Sequence, residues 1–325
     1  MYKKILSISL LLILAACGVS SEKNNVIEHN KNGAGFLGMG TKDDVIIERQ
    51  ASLKNINEVV IGSFAVGFND SSVEQKSAKR SLMGGGSNWG GKASGKVRLE
   101  GVSDATKQAI TDAAYNDFVN KLRTYGYTVR DRSALTSSGA YQSATKKTYP
   151  YVDDNSGFLS SYGQTLFFQP TALGAEGLSI DGAFNQTGSK MLEFAKASNI
   201  AVVDATYIVD FVATGGHSSA MSASIKVGQN LAVTDANIRF SKDGAANVKL
   251  GQPVESGQPF GTVINETSTT DLAVSEATNV ARVLMGGRSS RSRNYVIQAD
   301  PTKYQSQSIR ILGEANGRMI AKSKQ

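Results

Sequence analysis

Ala201-Val202-Val203-Asp204-Ala205-Thr206-Tyr207-Ile208-Val209-Asp210-Phe211-Val212-Ala213-Thr214-Gly215-Gly216 opens the stretch on which the fold turns. Its odd positions stay apolar or small through Met221, Ala223, Ile225 and Val227, with His217 and Ser219 between them. Asp210, Thr214, Ser218, Ser222, Ser224 and Lys226 occupy even positions. Alternation with period two puts these sets on opposite faces of a strand. A strand in a globular domain runs to about five or six residues, so an alternation this long predicts a hairpin, with its turn near Gly215-Gly216. Tyr207, Val209, Phe211, Met221, Ile225 and Val227 are its candidate inward or membrane-facing positions.

The alternation carries on at Leu231, Val233, Ile238 and Phe240, changing phase across Asp235-Ala236, and Lys242-Asp243-Gly244 marks a turn. Residues 248–250 and 262–264 predict further strands. Upstream, Phe64, Val66 and Phe68 alternate in a strand over 59–68. A helix follows from an N-cap at Ser103, with Asp104 at the positive end of its dipole. Ile110, Ala114, Phe118 and Leu122 fall four apart on one stripe, and Gly126 sits where a helix C-terminus favours glycine. A short strand at 127–130 completes a strand-helix-strand unit. Helices are also predicted at 191–197, 273–285 and 308–321, while 133–190 reads as loops and weak strands. The expected class is α+β: a strand-helix-strand core with long antiparallel hairpins suited to donation to an oligomeric β-barrel.

The N-terminus carries a different kind of signal. Lys3 and Lys4 precede an apolar run over 5–16 that ends in Leu14-Ala15-Ala16-Cys17-Gly18. About 12 apolar residues are too few to cross a bilayer as a helix, and small residues before a cut suit a signal peptidase. Leu-Ala-Ala-Cys resembles the lipobox of bacterial lipoproteins, in which the Cys is acylated and becomes the first mature residue. By that resemblance Cys17 is a lipid anchor, and Gly18 after it implies an outer-membrane, periplasm-facing address. The division expected is a signal at 1–16, an anchor and tether at 17–55, an α+β domain at 56–290 and a basic helical segment at 291–325.

Composition limits the chemistry. The 325 residues include one Cys and two His (His29 and His217), which removes internal disulfides, Cys-rich zinc sites and most triad arrangements. No cofactor, metal or catalytic residue is expected. Asp153-Asp154-Asn155 lacks the distal Glu of a calcium loop. Gly86-Ser87-Asn88-Trp89-Gly90-Gly91-Lys92-Ala93 nearly matches a phosphate-binding loop, but Ala93 stands where the magnesium-binding hydroxyl belongs. The same segment reads as a strand with Trp89, Ala93, Val97 and Leu99 on one side and Lys92, Lys96 and Arg98 on the other. About 11 such residues match one crossing of a membrane barrel, and a Gly-rich surface hairpin is the competing reading. The formal charge is +7, yet residues 282–325 alone carry nine cations against Asp300 and Glu314. For an exported chain with only Tyr295 and Tyr304 among these cations, nucleic acid is an unsuitable partner.

The segments Ala197-Ser198-Asn199-Ile200-Ala201-Val202, Tyr207-Ile208-Val209-Asp210-Phe211 with Gly215-Gly216, and Gln229-Asn230-Leu231-Ala232-Val233 through Asp243-Gly244 resemble the curli-secretion channel lipoproteins. The later helix at 273–285 fits the same pattern, and the resemblance covers roughly residues 56–290. It implies a periplasmic α/β domain that donates strands to a large homo-oligomeric barrel exporting a secreted or surface protein. The chain departs from the pattern in the long connection 69–102 and in an insertion at 136–190. Membrane contact through the lipid, self-association and export are therefore the expectations. The alternative is a monomeric, lipid-anchored binding or structural protein.

Overall fold

The computed structural model describes residues 18–20, 26–28, 43–77, 92–153, 164–179, 186–218, 223–267 and 290–325. In chain order these form β1 (Gly18–Ser20), β2 (Val45–Glu48), a 3-10 turn, β3 (Glu58–Asn69), β4 (Ser71–Ser77), β5 (Lys92–Glu100) and helix α1 (Asp104–Thr124). Next come β6 (Thr128–Val129), short helices α2 (Ser133–Thr136) and α3 (Gly139–Gln142), β7 (Lys146–Thr148), β8 (Tyr151–Asp153), β9 (Thr165–Phe168), β10 (Glu176–Leu178) and helix α4 (Thr187–Ser198). The chain ends with β11 (Ala201–Ser218), β12 (Ala223–Ser241), β13 (Ala245–Leu250), β14 (Val254–Glu255), β15 (Gly261–Asn265), β16 (Ser290–Ala299) and helix α5 (Pro301–Ser323). The class is α+β, in open sheets.

The long alternation forms β11 and the first part of β12, paired antiparallel from Val202↔Ser241 out to Ser218↔Ala223. Gly215 and Gly216 are not the turn: they pair with Lys226 and Ile225 inside the ladder, and the reversal falls between Ser218 and Ala223. Eighteen residues at about 3.3 Å each give β11 a reach near 60 Å. The phase change read across Asp235-Ala236 is a β-bulge: Ile208 faces Asp235 and Val209 faces Val233, leaving Thr234 as the extra residue. A second irregularity sets Leu231 and Asn230 opposite Phe211.

The main sheet runs β2-β13-β12-β11-β3-β9-β8, with β1 and β14 also on β12 and β6 on β3. β3 and β11 are parallel, with a bulge at Gly62 between Val203↔Ile61 and Asp204↔Ser63. A Cβ at Gly62 would meet Asp204 Oδ1 at 2.5 Å and Val202 at 2.6 Å, so the strand closes on β11 there only without a side chain. One sheet face packs on α1 and α5 through Phe64, Phe118, Tyr207, Phe240, Ile311 and Leu312. The other packs through Val60 and Val202 on Leu135, Tyr141, Met191 and Phe194 of α2–α4. Residues 133–190, read as weakly structured, thus supply a second layer.

α1 begins where read: Ser103 Oγ accepts from Thr106 N, and Ile110, Ala114, Phe118 and Leu122 are buried. α5 starts seven residues before the position read, at an Asp300 cap followed by Pro301. The expected tether at 17–55 also needs correction, because it contributes β1 and β2 and a bridge from Val26 to Gln229. Likewise residues 290–299, assigned to the boundary of a helical tail, are strand β16. The helix read at 273–285 lies outside the described residues.

β15-β16-β5-β4 form a second, four-stranded sheet, in which β16 and β5 are parallel and the outer pairs antiparallel. This sheet lies against β11 and β12 and against β1. Val97, Val263, Tyr295 and Ile297 share one apolar cluster with Phe211, Val227 and Leu231. Buried Gln229 stitches the layers, donating to Gly261 O at 2.9 Å and accepting from Phe260 N and Gly261 N at 2.8 Å. Removing that amide strands three backbone groups inside a buried seam, a cost of about 1–3 kcal/mol for each unsatisfied group.

Candidate functional site: hairpin ends and anchor

The ends of both sheets define the candidate site. In the second sheet β4 ends and β5 begins at the pair Ser77↔Lys92, and β16 begins opposite Lys92 at Ser290. β15 runs out past Asn265, paired with Tyr295. The other end of that sheet, at Gly261 and Ala299, is fixed to Gln229 and to α5. The tip of β11–β12 lies six residues from Gln229 along β12, at Ala223. Three pairs of strand ends therefore lie on the side away from α1 and α5.

β1 reaches the same place. Gly18, Val19 and Ser20 pair in parallel with Ser224, Ile225 and Lys226, and β1 contacts β5 and β16. The chain enters at the hairpin tip and runs inward to Val26 and Ile27, whose carbonyl accepts from Asn230 Nδ2 at 2.9 Å. Cys17 itself lies outside the described residues, but it is the residue immediately before Gly18. Trp89 and Met221 also lie outside them, as do Asp154 and Asn155.

The remaining candidate strand residues are all on strands. Tyr207, Val209 and Phe211 on β11, Val227 on β12, and Ala93 and Val97 on β5 are buried, while Leu99 is half-buried. Ile225 belongs to β12. Those buried apolar sides are turned toward protein in the single chain, because the two sheets close on each other. Of the basic C-terminal residues, Arg291 and Arg293 are on β16; on α5 Arg318 reaches Glu314 and Arg310 reaches Glu314 and Ser256 O, and Lys324 at its C-cap lies 3.7 Å over the Tyr127 ring.

A polar belt marks where the strands pass from the helix-covered half to the hairpin half. β3 hands over to β4 across the single residue Asp70, whose carboxylate takes Lys107 Nζ at 2.7 Å; Lys107 is 3% exposed. Asn230 Nδ2 also donates to Glu255 at 3.0 Å. Lys107 thus ties the hinge between the sheets to α1. Among the described residues no group of three or more His, Cys, Asp or Glu side chains is placed to hold a metal ion, and no helix is long and apolar enough to cross a membrane.

Deeper in, Asp204 is buried beneath α2–α4, with Ser63 Oγ donating to it at 2.9 Å. Burial pushes its carboxyl up to about 6, offset in part by Ser63 and by the Arg239 and Arg132 charges. A folded-state value above the unfolded one means the folded chain holds this proton more tightly. Stability is then lost as pH rises from the ordinary carboxylate range through about 6. Asp204→Asn keeps an acceptor for Ser63 and is expected to flatten that loss. Urea unfolding at pH 4.5 and 7.5 checks this; an unchanged difference between the two pH values would refute it.

Sequence reading missed the open edges. Among the described residues the exposed large hydrophobic side chains are Ile46, Val73, Tyr125, Val152 and Ile264. Four of these lie one each on β2 and β8, the edges of the main sheet, and on β4 and β15, the edges of the second. The architecture is that of an α+β domain in which, among the described residues, β2, β8, β4 and β15 stand at the sheet edges. No protein-family model, no curated protein and no solved structure matches the chain.

Proposed function

We propose that this protein is an outer-membrane lipoprotein, anchored through Cys17 and facing the periplasm, that self-associates into a secretion channel or channel accessory for a surface structure. The observation that carries the reading is the convergence of Gly18, next to the anchor, with three hairpin ends on one side of the fold. Acyl chains on Cys17 would bring those ends to the bilayer. Strands can cross lipid only in a closed barrel, since every open edge there leaves backbone groups unpaired. Among the described residues β4 and β15 are the outer strands of the four-stranded sheet, with Val73 and Ile264 exposed at 37% and 43%. Pairing β15 of one copy with β4 of the next would satisfy both edges in a ring. For the inner faces of the two sheets to meet lipid, the sheets must part at the Asp70 and Gln229 seam.

Electron microscopy of the detergent-extracted full-length protein tests this, with ring-shaped particles expected. Proteolysis of intact membranes at residues 78–91 and 219–222 is the companion measurement, with protection expected. Monomers whose hairpin ends are cut at once would leave the alternative, a lipid-anchored binding protein with solvent-facing hairpins.

A further inference from the structure

The end of the molecule opposite the hairpin tip is basic. The loop 49–57, the chain after α1 at 123–127, the β12–β13 turn at 241–245 and the end of α5 at 321–325 meet there. These four segments carry Arg49, Lys54, Arg123, Lys242, Lys322 and Lys324 against one side-chain carboxylate, Asp243. The flanking acids Asp44 and Glu58 face Arg318 and Arg130 instead. Among the described residues none of the six cations has a carboxylate within ion-pair distance.

Two of these lysines are fixed in place. Lys324 Nζ donates to Ile56 O at 3.1 Å and lies 3.7 Å over the Tyr127 ring, and Lys242 Nζ donates to Asn55 O at 3.1 Å. Cations near helix C-termini ordinarily serve the last helical carbonyls. These ammoniums reach consecutive carbonyls of one loop instead, and each has further donors beyond that bond. A side chain already ordered in this way loses little entropy when it binds. Beside Lys324 lies an open cleft of about 460 Å³, of ordinary ligand-cleft size, lined by Gln50, Leu53, Lys54, Asn55, Asn57 and Lys324. At the same end Tyr125, the C-cap of α1, is 40% exposed; among the described residues it is the only large exposed hydrophobic off the sheet edges.

We propose that this cleft docks an acidic stretch of a second polypeptide, with carboxylates on Lys54 and Lys324 and apolar side chains on Leu53. The donor set decides the chemistry. Lysines and side-chain amides line the cleft and no Arg does, whose fork would suit phosphate; separate carboxylates fit such donors. The direction this end faces rests on the lipid-anchor reading above. β11 runs about 60 Å from here to the tip beside Gly18, several times the distance of about 10 Å over which exposed charges act in salt. Anionic headgroups at the anchor do not reach the cleft, so its occupant is a polypeptide on the periplasmic side. Docking there holds that chain on the side from which a channel would be entered.

The test titrates the detergent-extracted full-length protein with a fluorescein-labelled peptide of about ten residues, Glu alternating with Leu and Ser, at about 20 mM salt, where exposed charges are little screened. Saturable binding is expected. It should weaken at least about tenfold in Lys54→Gln combined with Lys324→Gln, in Lys54→Glu alone, and when every Glu of the peptide is replaced by Gln. Lys54 is exposed and its reversal leaves Lys324 on Tyr127, so thermal unfolding of Lys54→Glu should match wild type. Lys303→Gln, an exposed cation at the other end of α5, should bind within about twofold of wild type. No binding by wild type, unchanged binding in the Lys54 and Lys324 variants, or an equal loss in Lys303→Gln would overturn the site. Tighter binding of inorganic polyphosphate, or of phosphatidylglycerol vesicles, with the same lysine dependence would overturn the choice of a polypeptide. Lysine-dependent peptide binding by particles that form no ring would sink the channel reading and keep the cleft. Rings that do not bind the peptide would do the opposite.

Discussion

Deletion of Thr234 is expected to abolish the native packing of the chain, whereas Thr234→Ala should shift its stability by under about 1 kcal/mol. The deletion would make the apolar alternation of β12 unbroken, so a reading of pattern alone would expect a better strand. The ladder says otherwise. Thr234 is the residue that lets Val233 and Ala236 face the same core although their numbers differ in parity. Without it, one side of β12 must slip by a residue, and a one-residue slip turns every side chain to the opposite face. The losing side would be either Val227, Leu231 and Val233 or Ala236, Ile238 and Phe240, all buried at or below 1% exposure. Withdrawing three such side chains costs on the order of 5 kcal/mol or more, comparable to the whole stability of an ordinary domain. Near-ultraviolet circular dichroism and urea unfolding measure the difference between the two variants. A deletion chain with wild-type unfolding would mean that the bulge does not set the register.

That bulge also shows what kind of structure the chain discloses in advance. Helix α1 is legible because its information is local: a Ser cap and a stripe four apart. The β11–β12 hairpin is legible as alternation, and the bulge as a change of phase. Its turn is not, because Gly215-Gly216 has turn chemistry but sits where Lys226 and Ile225 extend the ladder past it. The four-stranded sheet was hidden for another reason. Its β5 is built from Lys92-Ala93-Ser94-Gly95-Lys96-Val97, with little apolar bulk, and is buried by a parallel partner nearly 200 residues away. Pairing at that separation leaves no local trace. The Asp300-Pro301 start of α5 carried a usable signal, an N-cap followed by Pro at the first helical position, that the apolar stripe further on obscured. For the candidate site, Cys17 was legible through its motif, but its proximity to the hairpin tip depends on β1 pairing with β12. The edge residues Ile46, Val73, Val152 and Ile264 look like ordinary strand residues until the strand order is known.

Phe64→Ala is expected to destabilise the protein by about 3–5 kcal/mol, the range for truncating a fully buried Phe. The position concentrates three contacts. Its ring lies 5.5 Å from Tyr115 edge to face, 5.3 Å from Phe118 and 5.4 Å from Tyr207. Tyr115 and Phe118 belong to α1, Phe64 to β3 and Tyr207 to β11, so one ring couples the helix to the two parallel strands it crosses between. Aromatic pairs of this geometry add about 0.5–1.5 kcal/mol each beyond the area they bury, and a rigid sheet cannot collapse to fill the space left behind. Phe64→Leu, which keeps most of the volume and loses the ring contacts, should fall between wild type and Ala. The consequence reaches the hairpin, because β11 is one strand from the Tyr207 contact to its tip. If that coupling holds, hydrogen exchange in Phe64→Ala should speed up along Ala201–Val212 as well as in α1. Faster exchange confined to α1 would instead make the aromatic cluster a local patch, and the helix-covered half would not set the orientation of the hairpin.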